Sequence, residues 1–159
     1  MKRSSTLFLQ IVIVALGLVT LAIMIRFPMT EGRAINLGLF SIYADPFIVY
    51  GYLASTTFFV ALYQAYSLLG YIGQNKVFSL GSVKTLRIIK YCALMQSILI
   101  VMAGIYIRIF HAADDDPAGF LALCIMTTLI SIVIATAAAV FERTLQSAVD
   151  IKSENDLTV

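Results

Sequence analysis

Every Asp, Glu, Lys, Arg and His in this chain lies outside four apolar stretches, residues 7–25, 47–69, 91–107 and 118–141. A helix rises about 1.5 Å per residue and the hydrocarbon core of a bilayer is roughly 30 Å thick, so each stretch is close to the length needed to cross as a helix. Composition points the same way: 60% of residues are hydrophobic and 13% charged, against about 25% charged in soluble domains. The expected fold is an all-α integral membrane protein with four transmembrane helices in one bundle, forming a single membrane domain over 1–159. The same figures exclude a disordered chain, a disulfide scaffold built on two cysteines, and a basic nucleic-acid binder with a net charge of +2. No direct nucleic-acid contact is expected.

The ends of the stretches carry their own signals. Lys2 and Arg3 before residues 7–25 would suit a signal peptide, but the apolar run is too long and Ile23-Met24-Ile25-Arg26-Phe27-Pro28 has no small-residue cleavage site. An uncleaved anchor is expected. Asp45-Pro46 and Asp116-Pro117 are helix-start pairs, in which Asp caps open N–H groups and Pro occupies the first helical position. The third helix is expected to begin before its apolar stretch, with Lys90 reaching back to the headgroups. Four crossings put both termini on one side. Lys2, Arg3, Lys76, Lys84, Arg87, Lys90, Arg143 and Lys152 share that side, against Arg26, Arg33 and Arg108 on the other. The excess of basic residues places the termini, the 70–90 loop and the 142–159 tail on the cytoplasmic side, as an expectation. Tyr43, Tyr50 and Tyr52 at one end of the second stretch, and Tyr63, Tyr66 and Tyr71 at the other, read as interfacial residues with rings in lipid and hydroxyls in headgroup water.

Between the first two stretches, Ile35, Leu37 and Leu39 alternate with Asn36 and Gly38, which predicts a short strand or hairpin against the outer face. A ligand-sensing loop is the other reading. The 108–117 turn gathers His111 with Asp114, Asp115 and Asp116; three consecutive carboxylates cannot converge on one ion from an extended turn, and a solvated, helix-capping loop is expected rather than a metal site. The inner segment holds Ser79 as the expected N-cap of a new helix, with Phe78 and Val83 forming a hydrophobic staple. Lys84, Arg87 and Lys90 then recur every three residues as a basic stripe, suited to anionic lipid or an acidic partner. After the fourth stretch, residues 142–152 continue the helix, and Ser153 to Val159 form an acidic tail with an apolar end.

No stretch carries Asp, Glu, Lys, Arg or His, whereas proton relays, ion-coupled transport and intramembrane hydrolysis normally need such groups at depth. An enzyme is therefore not expected, nor a cofactor or metal. Cys92 and Cys124 read as small packed hydrophobes. Gln10, Gln64, Gln96 and Thr136 all fall in the inner third of the bilayer, as interhelical hydrogen-bond partners or as the lining of a small polar cavity. Ser131, Ala135 and Ala139 form a small-residue ridge that permits close helix approach within the bundle or in a homodimer.

Two motifs carry a resemblance across nearly the whole length. Lys76-Val77-Phe78-Ser79 with Ser82-Val83-Lys84-x-Leu86-Arg87-x-Ile89, and the terminal Glu154-Asn155-Asp156-Leu157-Thr158-Val159, resemble those of the bacterial membrane-protein family catalogued as domain of unknown function 2975. Ser82 stands where that family often has Asn. The resemblance brings no catalytic residues. It implies a genetic neighbour, a small helix-turn-helix transcription regulator, and hence a membrane partner that holds or controls it. Phe78, Lys84, Arg87, Asp156, Leu157 and Val159 are the contact candidates. The rival readings are a small transporter or channel subunit using the glutamine layer, and a structural subunit of a membrane complex.

Overall fold

The computed structural model describes residues 3–30, 38–110 and 117–157. Five helices follow in order: α1 (Arg3–Thr30), α2 (Leu39–Tyr43), α3 (Pro46–Gly73), α4 (Leu80–Phe110) and α5 (Ala118–Leu157). All but α2 are long and apolar enough to cross a membrane, and no strand occurs among the described residues. Each long helix contains one of the four apolar stretches and outlasts it, most of all α5 with 40 residues.

The strand or hairpin expected before α3 is absent where that segment is described. Leu39–Tyr43 instead make one helical turn, closed by Ile42 N–H on the Gly38 carbonyl at 3.2 Å and Ala44 N–H on Phe40 at 2.9 Å. Without a neighbouring strand, only a helix satisfies its own backbone in an apolar setting. Residues 35–37, which carried the rest of that expectation, lie outside the described residues. The start of α3 is as the sequence indicates: Asp45 Oδ1 accepts from Phe47 N–H at 2.8 Å and Ile48 N–H at 3.4 Å, with Pro46 as first helical residue. At α5 the register differs by one. Pro117 precedes the first helical residue and its carbonyl receives Leu121 N–H at 2.9 Å; Asp116, like His111, Asp114 and Asp115, lies outside the described residues.

The bundle is an open row. α1 packs on α3, α3 on α4 and α4 on α5, while α1 and α5 share no substantial interface among the described residues. The α4–α5 interface is the most extensive because both helices present small residues there. Ala93, Ser97 and Gly104 of α4 are buried, as are Cys124, Ala135 and Ala138 of α5. Small side chains let the two backbones approach closely. A Cβ placed on Gly104 would meet the Cys124 Cβ at 3.5 Å. Of the expected ridge, Ala135 is buried in this seam and Ser131 and Ala139 are half-buried. Cys124 packs as a small hydrophobe, and both cysteines are free thiols.

At the other end of the row, proline chemistry binds α1 to its neighbours. Pro28 lies inside α1 and has no N–H for the carbonyl four residues earlier, that of Met24. Tyr52 supplies the missing donor, its hydroxyl reaching Met24 O at 2.9 Å; Tyr43 donates to the next carbonyl, Ile25 O, at 2.8 Å. Tyr50 donates to Leu99 O on α4 at 2.7 Å. The three hydroxyls expected in headgroup water therefore fasten helices together. Tyr52→Phe should lower stability by about 1 kcal/mol, because it leaves Met24 O without a donor. In a Pro28→Ala background, where a backbone N–H returns, the same substitution should cost nothing, as read by unfolding of the four variants in detergent micelles.

Candidate functional site

Polar side chains concentrate at the end of the molecule where α1 begins, α3 turns into α4 and α5 continues beyond its apolar stretch. The α3–α4 turn is tightly specified. Asn75 adopts φ 57°, a left-handed conformation that Asn tolerates better than most residues. Lys76 N–H then reaches Tyr71 O at 2.9 Å and Asn75 N–H reaches Ile72 O at 3.2 Å, the paired bonds of a Schellman stop. Ser79 caps α4 as expected, its Oγ accepting from Ser82 N–H at 3.3 Å. Ser82 is fully buried and its hydroxyl donates to Lys76 O at 3.2 Å. A short polar side chain with a donor is needed at 82, which accounts for Ser there. The turn is also tight against α4, since a Cβ on Gly81 would lie 2.9 Å from the Tyr71 ring.

The strongest electrostatic feature joins α4 to α5. Glu142, the first residue after the fourth apolar stretch, is 8% exposed. One carboxylate oxygen accepts from Arg87 Nε at 2.7 Å and the other from Lys90 Nζ at 2.7 Å. Bonds from Arg87, then Lys90, hold the Glu142 carboxyl below its ordinary range, against the opposing effect of burial. The basic stripe is thus divided: exposed Arg87 and half-buried Lys90 clasp buried Glu142, while Lys84, also exposed, stands outside the clasp. Glu142 was missed in sequence, although two bases just before one apolar stretch and an acid just after its antiparallel neighbour were the signal.

Beyond the clasp, α5 runs on to Leu157, about 24 Å past Phe141 at helical rise. Val83 and Leu86 are buried at the start of α4, and Leu145, Ala148 and Val149 half-buried on α5. Phe78 is 59% exposed, Leu80 68% and Ile151 67%. Phe78, expected to staple onto Val83, keeps most of its ring exposed while Val83 is buried. Of the other partner candidates, Asp156 and Leu157 belong to the last turn of α5 and Val159 lies outside the described residues.

The four polar residues of the inner layer do not converge. Gln10 Nε2 donates to Tyr66 O at 3.4 Å, joining α1 to α3. Gln96 accepts from the Thr57 hydroxyl, joining α4 to α3. Thr136 turns back to Ile132 O on its own helix at 2.9 Å, and Gln64 is half-buried between the other two positions along α3. Nor do they lie at one level: the α3 partners of Gln96 and Gln10, Thr57 and Tyr66, are nine residues apart, about 14 Å at helical rise. Among the described residues, no group of three or more His, Cys, Asp or Glu side chains is placed to hold a metal ion.

Residues 33–159 match the family described as Protein of unknown function (DUF2975). Over 161 aligned positions spanning the whole of both chains, the sequence is 41% identical to the "Uncharacterized membrane protein YoaS" of Bacillus subtilis (strain 168). No solved structure matches. The match runs from the segment after α1 through the α3–α4 turn and the α4–α5 clasp to the end of the chain, and so the chain belongs to the DUF2975 family of membrane proteins.

Proposed function

We propose that this protein is a membrane-bound regulatory partner in the bacterial cytoplasmic membrane, holding a small helix-turn-helix transcription regulator at its cytoplasmic face. The observation that carries the reading is the stem formed by the start of α4 and the overhang of α5. Glu142 fastens the two helices where they leave the apolar stretches, and beyond that point α5 remains helical through Leu157. A stem of this kind presents side chains at fixed positions in water, which a lipid anchor alone has no need to do. Exposed Phe78, Leu80 and Ile151 supply apolar contact and exposed Lys84 a charge. The eight-to-three bias of basic residues supports a cytoplasmic position for this end. A regulator is the class of partner that the family resemblance implies. The absence of Asp, Glu, Lys, Arg and His from all four stretches favours recruitment over transport or hydrolysis.

Because Arg87 is held by Glu142, contact is best tested through Phe78→Ala, Lys84→Gln and removal of residues 153–159, none of which touches the clasp. The three changes together should abolish co-purification of the regulator encoded beside the gene and alter expression of its targets. Unchanged recruitment and unchanged expression in the combined variant would refute the proposal.

A further inference from the structure

We propose that the cleft between the start of α1 and the end of α3 binds the phosphate headgroup of one anionic phospholipid from the nearer leaflet. The cleft has a volume of about 550 Å³ and is lined by Thr6, Gln10, Gly70, Gly73, Gln74 and Lys76, together with Leu7 and Leu69. Its polar side chains supply donors: the Thr6 hydroxyl, the Gln10 and Gln74 amides and the Lys76 ammonium. Thr6 is 3% exposed, and its hydroxyl has no hydrogen-bond partner, a state that ordinarily costs about 1–3 kcal/mol. Gln10 spends one amide proton on Tyr66 O at a long 3.4 Å and has a second to offer. Lys76 contributes a cation, and no carboxylate lines the cleft. The sequence adds Lys2 and Arg3 just ahead of Thr6.

What selects a lipid over a soluble anion is the space that continues from the cleft. A second groove of about 330 Å³ runs along the same α1–α3 seam toward the membrane interior, lined by Ile11, Val14, Leu18 and Tyr66, and it shares Leu7 and Gln10 with the cleft. A donor-rich, cationic mouth opening into an apolar channel matches a phosphate joined to an acyl chain. The two glycines keep the mouth open. A Cβ on Gly73 would press on Thr6 Cγ2 at 3.2 Å, and one on Gly70 would reach Gln10 Nε2 at 3.8 Å.

The test is lipid retention by the full-length protein, purified in mild detergent from mixed phosphatidylglycerol and phosphatidylcholine and read by native mass spectrometry. The wild type should retain one phosphatidylglycerol in preference to phosphatidylcholine. Lys76→Gln, at an exposed position that leaves the fold intact, should reduce that preference about fivefold, the loss of one basic contact to an anionic lipid. Gly70→Leu, which fills the cleft, should remove the bound lipid of either kind, whereas Lys84→Gln should change nothing. Three results would each overturn the proposal: equal retention of the two lipids by the wild type, an equal loss of preference in Lys84→Gln, or inorganic phosphate bound in the cleft by delipidated protein with no lipid retained.

Discussion

Glu142→Ala should be among the most destabilising single changes outside the apolar stretches, at roughly 2–3 kcal/mol. Its carboxylate is 10% exposed and receives both Arg87 and Lys90 at 2.7 Å. Removing it leaves two cations side by side at the base of the α4–α5 stem, with Lys90 only 21% exposed. Glu142→Gln tests the charge separately from the shape, since the amide retains an oxygen for one partner but opposes the other with N–H groups. Thermal unfolding in detergent should rank wild type above Glu142→Gln and Glu142→Ala, and a spin label on Ile151 should gain mobility in both variants as the stem loosens. The clasp also carries a pH dependence. The folded carboxyl titrates below its ordinary value of 4.5, so the stabilisation is fully present above that value and is lost as pH falls through the lowered one. The gap between wild type and Glu142→Ala should therefore be constant at neutral pH and close in acid. A gap that persists unchanged into acid would mean that packing, not charge, holds the stem.

Ala135→Leu should cost about 3 kcal/mol for a different reason. Ala135 is 3% exposed in the α4–α5 seam, where the approach of the two helices depends on small side chains, and three added carbons have nowhere to go without moving α5 outward. Gly104→Ala is the counterpart. The new Cβ would stand 3.5 Å from the Cys124 Cβ, an ordinary contact, and alanine is the better helix former. It should be neutral or mildly stabilising. The two variants can be separated by maleimide labelling of Cys124 in a Cys92→Ser background, which should accelerate in Ala135→Leu and remain slow in Gly104→Ala. Slow labelling with wild-type stability in Ala135→Leu would show that the seam has slack that the buried alanines do not reveal.

The helices were legible because their signals are one-dimensional. Charge-free length defines a span, Asp45-Pro46 announces α3, and Ser79 announces α4, all within a few adjacent residues. What stayed hidden needed the rotation of one helix relative to another. The spacing of Gln10, Gln64, Gln96 and Thr136 from the ends of their stretches conveys neither the stagger of one helix against the next nor the neighbour that each faces. The Glu142 clasp required the register of α5 on α4. The tyrosines lay between these cases: their positions at the interface were readable, while the partner of Tyr52 became clear only once Pro28 was placed opposite it. Only the end of the alternation before α3, residues 39–43, is described, and it is helical: a strand needs a neighbour to pair with, and no strand occurs among the described residues.

The open row also has a consequence for biogenesis. Helices leave the ribosome in chain order, so α1 enters the bilayer with no surface to bury and waits there until α3 arrives. The α4–α5 interface, the broadest among the described helices, can form only once α5, the last of them in chain order, has been synthesised. Commitment to the final assembly thus comes late, and a ribosome stalled within α5 would leave α4 displaying a strip of small residues to the surrounding membrane, open to pairing with another chain.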